Sequence, residues 1–156
     1  MNEAFMREAI RLSIRKMRSG QGGPFGAIVV NAAGRIVGRG WNQVTSTNDP
    51  TAHAEIVAIR AACKRLRTFQ LQDCELYTSC EPCPMCLSAI YWARLSAVFY
   101  GNTRQDAARI AFDDAMIYRE VALPIAKRSL VMKPLLRQEA LAAFEEWQNK
   151  PDKTLY

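Results

Sequence analysis

Two short motifs contain the residue types that bind transition metals and move protons. The first, His-Ala-Glu at residues 53–55, includes the one histidine of the chain. The second, Cys-Glu-Pro-Cys-Pro-Met-Cys at residues 80–86, holds three of its five cysteines. Imidazole nitrogen and thiolate sulfur are common zinc ligands, and a carboxylate beside them can act as a general acid or base. The two motifs together therefore predict a metal site with proton-transfer chemistry.

The spacing within each motif indicates how the ligands converge. Each motif opens a predicted helix, and Cys83 and Cys86 stand on one face of a first helical turn. A helix N-terminus lowers the pKa of a thiol and so favours the thiolate that a metal requires. With His53 from the other helix start, a tetrahedral zinc ion would keep one open position for water, whose pKa then falls toward ~7. Glu55 is placed to carry protons between that water and a substrate.

Cys80 leaves two other interpretations open. Its spacing with the next two cysteines is that of the opening of an iron–sulfur binding run, although Ile90 stands where a fourth cysteine would be needed. Together with His53 and the same two cysteines, Cys80 could also complete a closed Cys3His zinc site in a structural module without catalysis. The closed site gives Glu55 no role.

Hydrophobic periodicity and turn residues predict the elements that must position these motifs. Helices are expected over residues 2–18, 52–66, 82–93, 104–111 and 138–148, with Thr51 as the cap of the second. Strands are expected over residues 26–30, 35–41, 74–78, 97–100 and 129–132. A hairpin followed by alternating helices and strands predicts the α/β class, as a three-layer αβα sandwich with a mixed five-stranded sheet.

The composition is that of one ordinary globular domain, with 156 residues, 49% of them apolar and 23% charged. The longest uninterrupted apolar stretch, residues 89–93, is far shorter than the ~18 residues that cross a bilayer, so we expect no membrane partner. Residues 1–8 lack the apolar run of a secretory signal, and an odd number of cysteines argues against a disulfide framework. We therefore expect a cytoplasmic protein with a single domain over residues 1–156.

The net charge of +6 raises the question of nucleic acid. The basic excess lies mainly in the first predicted helix, where arginines at helical spacing oppose an apolar stripe. That stripe consists of Met6, Ile10, Ile14 and Met17. The pattern is typical of an amphipathic helix with a solvated face, and the acidic residues within 138–156 make a poor surface for phosphates. We therefore expect no nucleic-acid partner.

Several motifs resemble the cytidine/deoxycytidylate deaminase-like zinc superfamily, and the resemblance extends over nearly the whole chain. His-x-Glu followed by Pro-Cys-x-x-Cys is the signature of zinc deaminases of bases and nucleosides. Residues 23–27, 48–55 and 78–86 match superfamily motifs, whereas 91–94 (Tyr-Trp-Ala-Arg) and 112–114 (Phe-Asp-Asp) are similar to its small bacterial guanine deaminase branch. Ser88 departs from the glycine found in many relatives.

The resemblance implies one zinc ion per subunit, carrying a water or hydroxide, with three protein ligands and one proton shuttle. The ligands are His53, Cys83 and Cys86, and the shuttle is Glu55. For the substrate, it implies base recognition by Asn42 and Asp114 and a pocket lined by Phe25 and Trp92. On chemical grounds, the backbone N–H of Ala54 or Cys83 is a candidate donor to the charge that develops during the reaction.

The resemblance also implies the reaction, which is hydrolytic deamination of a free purine base, guanine, to xanthine and ammonia. A tRNA adenosine deaminase, which shares the zinc motifs, is the nearest alternative, and other bases and nucleosides remain open as substrates. A homodimer is implied as well. In it, a C-terminal segment of about residues 138–156 is exchanged between subunits, and Tyr156 covers the neighbour's pocket.

Overall fold

The computed structural model describes residues 1–155. The helices are α1 (Glu3–Arg18), α2 (Val44–Thr47), α3 (Ala54–Leu66), α4 (Pro84–Trp92), α5 (Arg104–Arg109), α6 (Ala115–Ala122) and α7 (Arg137–Asn149), with a 3-10 turn at Ile125–Lys127. The strands are β1 (Gly26–Asn31), β2 (Ile36–Trp41), β3 (Cys74–Cys80) and β4 (Ala97–Asn102). Residues 1–114 form one compact unit, and the residues from Ala115 onward form a second. None of the helices within residues 1–155 is long and apolar enough to span a bilayer.

The four strands form one mixed sheet in the order β2-β1-β3-β4. β1 is antiparallel to both β2 and β3, whereas β3 and β4 run parallel. One face of the sheet packs against α1, and the other face packs against α3 and α4. The α/β class and the presence of helices on both faces of the sheet, as predicted from the sequence, are therefore confirmed.

The predicted fifth strand at residues 129–132 is wrong, because the sheet of the described residues has four strands. Leu130 and Val131 are 72% and 77% exposed and belong to no strand. A run of three apolar residues resembles a buried strand, but a strand also needs a neighbour for its backbone groups. Pro134, two residues after the run, has no N–H to extend such a pairing.

α1 buries a different face from the one that its apolar stripe predicted. Its buried residues are Ala9, Leu12 and Ser13, whereas three of the four stripe residues are 38–42% exposed. The reason is the close approach of the helix to β1 at Gly26, where a Cβ would lie 2.6 Å from the carbonyl oxygen of Ala9. At this point of close approach only small residues, Ala9 and Ser13, fit against the strand.

α3 approaches the sheet over a row of small residues. Gly40, Ala27 and Thr78 are in register across β2, β1 and β3. A Cβ at Gly40 would lie 2.1 Å from the carbonyl oxygen of Ala54 and 2.4 Å from the amide nitrogen of Ala58. Because only glycine leaves room for backbone at this distance, the row determines how deeply the first turn of α3 sits over the middle of the sheet.

We predict that Gly40→Ala lowers the free energy of unfolding by about 2 kcal/mol or more, because the added methyl group displaces α3 from the sheet. Gly34→Ala is the control, since a Cβ at Gly34 meets no atom within 4 Å. Its positive φ of 69° should cost only about 1 kcal/mol. Urea titration of both variants measures the difference, and equal destabilisation would contradict the packing argument.

Candidate metal centre and active site

The two chemistry-bearing motifs lie at helix N-termini. His53 is the N-cap of α3 and Cys83 is the N-cap of α4, and neither side chain makes a capping hydrogen bond. The predicted cap at Thr51 is wrong, because the N–H and the hydroxyl of Thr51 donate to the Asp49 carboxylate at 2.8 and 2.7 Å. The imidazole and the thiol therefore make no capping hydrogen bond at the helix starts where they lie.

The three predicted ligands converge. Nδ1 of His53 lies 3.6 Å from Sγ of Cys83 and 3.5 Å from Sγ of Cys86. A tetrahedral zinc ion with bonds of about 2.3 Å to sulfur and about 2.0–2.1 Å to nitrogen separates these atoms by about 3.5 Å. Both the donor types and their spacing therefore fit zinc, and among the described residues these three form the one such cluster of His, Cys, Asp or Glu ligands.

The electrostatics of the cluster also favour a cation. The hydrogen bond with Cys86, with a further one from His53, lowers the pKa of the Cys83 thiol to about 4. The same contact, together with burial, raises the pKa of Cys86, and the hydrogen bond to Cys83 raises the pKa of His53. The cluster thus favours negative charge at Cys83, and a divalent metal ion can replace protons on the neighbouring ligands.

Glu55 lies beside this cluster in the first turn of α3 and is only 6% exposed. Its Oε1 accepts a hydrogen bond from the hydroxyl of Thr78 at 3.2 Å, and its Oε2 accepts one from Sγ of Cys86 at 3.5 Å. Burial raises the pKa of this carboxyl group above its usual value. A buried carboxyl group with a raised pKa holds a proton more readily than an exposed one, which suits a group that must both accept and release a proton.

Cys80 lies outside the cluster. It ends β3, is buried, and donates from Sγ to the carbonyl oxygen of Thr103 at 3.7 Å. Burial raises the pKa of its thiol to about 11. The structure therefore favours three protein ligands over the closed Cys3His site and the iron–sulfur run.

Asn42 and Phe25, two of the predicted substrate residues, lie beside each other. Asn42 is 8% exposed, and its backbone N–H donates to the carbonyl oxygen of Phe25 at 3.1 Å. The ring of Phe25 meets that of Phe112 edge to face, with centroids 4.8 Å apart. Gly23 lies between these three side chains, since a Cβ there would be 3.5–3.7 Å from each of them.

The other predicted substrate residues differ in where the structure places them. Asp114 is half-buried, and burial, together with the negative charge of Cys83, raises its pKa. Ala54 is fully buried as the first residue of α3. Trp92 ends α4 and is 67% exposed. Tyr156 lies outside the described residues.

Sequence reasoning missed two residues of this region. Phe112 was part of a motif but was given no role, although it packs against Phe25. Thr78 lies in a predicted strand and at the start of a superfamily motif but has no predicted role of its own, although its hydroxyl is the hydrogen-bond donor to Glu55. A polar residue at a period-two position of an otherwise apolar, buried strand face was the available signal.

We predict that His53→Ala and Cys83→Ser abolish stoichiometric zinc, because each removes one of three ligands. Cys80→Ser is the matched control, since this cysteine belongs to the same motif but lies outside the cluster, and it should retain one zinc ion per chain. Metal analysis by mass spectrometry of dialysed protein measures the content. Loss of zinc in the Cys80 variant would support the closed site instead.

Comparisons with known proteins agree with this geometry. A family model described as the cytidine and deoxycytidylate deaminase zinc-binding region matches residues 1–102. Guanine deaminase from Bacillus subtilis is 50% identical over 155 residues, which cover 99% of each chain. An X-ray structure of guanine deaminase from Bacillus subtilis superimposes with a TM-score of 0.96 at 50% identity, covering 100% of this chain and 99% of the other.

Relatives that act on RNA match a shorter region. The tRNA-specific adenosine deaminase of Aquifex aeolicus is 43% identical over 98 residues, which cover 63% of this chain and 64% of the relative. The chain therefore belongs to the cytidine and deoxycytidylate deaminase family of zinc-binding proteins.

Proposed function

We propose that this protein is a zinc-dependent aminohydrolase that converts guanine and water into xanthine and ammonia. The observation that carries the proposal is the buried Glu55 carboxylate, whose Oε2 lies 3.5 Å from Sγ of the ligand Cys86. A structural zinc site has no use for a buried acid beside its ligands, whereas a hydrolytic one needs it for proton transfer. Similarity to the Bacillus subtilis guanine deaminase over 99% of both chains supports guanine as the substrate.

Three residues of the chain would bind the metal ion, and a fourth transfers protons. His53, Cys83 and Cys86 would hold zinc, which when bound lowers the pKa of a coordinated water and so supplies a nucleophile at neutral pH. Glu55 accepts a proton from the attacking water and delivers it to ring N3, so that C2 becomes electrophilic. The oxygen adds to C2, and Glu55 then takes the remaining proton of that oxygen and transfers it to the exocyclic amine. The C2–N bond breaks, ammonia leaves, and the oxygen stays on C2 as the carbonyl of xanthine.

We assign recognition of the base to two polar side chains, two aromatic rings and one backbone N–H. The Asn42 side chain offers both a donor and an acceptor to a purine edge, and a carboxylate at Asp114 accepts from ring or amino N–H groups. Phe25 and Phe112 supply apolar surface for the flat ring. Ala54 begins α3, where backbone N–H groups lack intrahelical acceptors, and its N–H is proposed to donate to charge that develops on the substrate.

A free base fits the charge distribution better than tRNA does. In the basic first helix, Arg7 pairs with Glu3 at 2.6 Å and Arg11 pairs with Glu8 at 3.2 Å. These acids neutralise part of the arginine surface that a phosphate backbone would use. We therefore include a small-molecule substrate and the lack of a nucleic-acid partner in the proposal, together with a cytoplasmic location.

The proposal also includes a homodimer that exchanges its C-terminal segment. Phe144 and Trp147 on α7 are 74% and 43% exposed within one chain, and Leu155 is 73% exposed. Tyr91 and Trp92 on α4 are 75% and 67% exposed. Apolar surface of this extent is commonly covered by a partner. A second copy would cover it and bring Trp92 and Tyr156 into the role of pocket lining.

Ammonia release from a panel of substrates tests the function. The protein should deaminate guanine much faster than guanosine, adenosine, cytosine or tRNA. Glu55→Gln is the control and should keep its zinc while losing about three orders of magnitude in kcat, the scale of general acid–base catalysis. Activity on tRNA without activity on guanine would refute the substrate, and normal turnover by Glu55→Gln would refute the mechanism.

Deletion of residues 155 and 156 tests the exchanged segment. A lid that excludes solvent water should matter for a small substrate, so we expect kcat/KM for guanine to fall at least about tenfold. Zinc content and Tm should stay nearly unchanged, because Leu155 is 73% exposed and neither residue is one of the proposed zinc ligands. An unaltered kcat/KM would show that the last two residues take no part in the site.

A further inference from the structure

Thr78 occupies a position where an apolar side chain would be expected. It lies near the end of β3, is 1% exposed, and points to the same sheet face as Leu76 two residues earlier. Its register partner on β1 is Ala27, and both Ala27 and Leu76 belong to the apolar core beneath α3 and α4. A hydroxyl buried on such a face requires a hydrogen-bond partner, and here that partner is Oε1 of Glu55 at 3.2 Å.

The two oxygens of Glu55 therefore have different environments. Oε1 faces the sheet and the Thr78 hydroxyl, whereas Oε2 faces Sγ of Cys86 and hence the metal ligands. Within residues 1–155, Thr78 supplies the one hydroxyl that donates to this carboxylate. A glutamate side chain has three rotatable bonds, and the Thr78 hydroxyl restricts them from the sheet side of the carboxylate.

The close packing of α3 on the sheet brings Glu55 within hydrogen-bond distance of Thr78. Gly40, Ala27 and Thr78 are in register across three strands, and the carbonyl oxygen of Ala54 lies 2.1 Å from where a Cβ on Gly40 would be. The first turn of α3 thus sits low over the sheet, and Glu55 reaches across Ala27 to β3. On β3, the Thr78 hydroxyl is the side-chain group that bonds the Glu55 carboxylate.

We propose that Thr78 is a positioning residue for proton transfer: its hydroxyl holds Oε1 of Glu55 so that Oε2 points toward the metal ligands and the substrate. This inference rests on the proposed function, since it concerns the proton shuttle of that same site. The Thr78 hydroxyl is bonded to Glu55, so we place its effect on the reaction through that carboxylate.

The test compares two substitutions of nearly the same shape. Thr78→Val removes the hydroxyl and should lower kcat for guanine about tenfold while KM changes less than about twofold, because a lost hydrogen bond to a charged group misaligns the shuttle. Thr78→Ser keeps the hydroxyl and should restore most of the rate. Ser96→Ala, which removes a hydroxyl bonded to the Cys74 carbonyl at the far end of β3, should leave kcat unchanged.

A double-mutant cycle separates positioning from a general structural effect. In the Glu55→Gln background, Thr78→Val should change the residual rate less than about twofold, because a residue that acts through Glu55 has nothing left to position. A full tenfold loss in that background, or an equal loss in Thr78→Ser, would overturn the proposal. Normal kcat in Thr78→Val, with Glu55→Gln inactive, would also overturn it while leaving the proposed function intact.

Infrared spectroscopy gives a readout that does not depend on turnover. The Glu55 carboxyl band, identified as the band that disappears in Glu55→Gln, should shift in Thr78→Val and stay in place in Thr78→Ser. An unmoved band in Thr78→Val would overturn the proposal even if the protein deaminates a different base. Absence of guanine turnover in the wild-type protein would count against the proposed function alone, since the band tests Thr78 independently.

Discussion

The burial of the Glu55 carboxylate beside three metal ligands is the constraint on which the rest of the site depends. Moving a carboxylate out of water costs several kcal/mol unless nearby donors or a cation compensate. The protein supplies a hydroxyl on one oxygen and a sulfur ligand near the other. A zinc ion on His53, Cys83 and Cys86 would add the positive charge that makes this burial favourable. A bound zinc ion would thus stabilise the buried Glu55 carboxylate that transfers protons beside it.

The fold meets this constraint by backbone proximity more than by large side chains. Glycine at positions 26 and 40 lets α1 and α3 lie close against the two faces of the sheet. α4 brings Cys83 and Cys86 to the same region from the end of β3, and His53 arrives at the start of α3. Because both ligand groups stand at helix N-termini, the partial positive charge of the helix ends also favours thiolates there.

The features that could be predicted from the sequence are those that depend on residues close together in the chain. The ligand set and Glu55 follow from short motifs, and the four strands follow from apolar runs with turns between them. The errors arose where contacts between residues far apart in the chain determine which side chains are buried or hydrogen-bonded. The buried face of α1 depends on Gly26 of a different element, and the hydrogen bond of Thr78 depends on strand register and helix depth. The run at 129–132 has strand-like residues, but no strand in the sheet pairs with it.

X-ray absorption at the zinc edge tests the central claim, an open site with three protein ligands, most directly. The spectrum of the purified protein should fit two sulfurs at about 2.3 Å, one imidazole nitrogen at about 2.0 Å and one further light atom from solvent. Addition of a guanine analogue should alter the light-atom shell and leave the sulfur shell unchanged. Three sulfurs in the shell would place Cys80 on the metal and contradict the account.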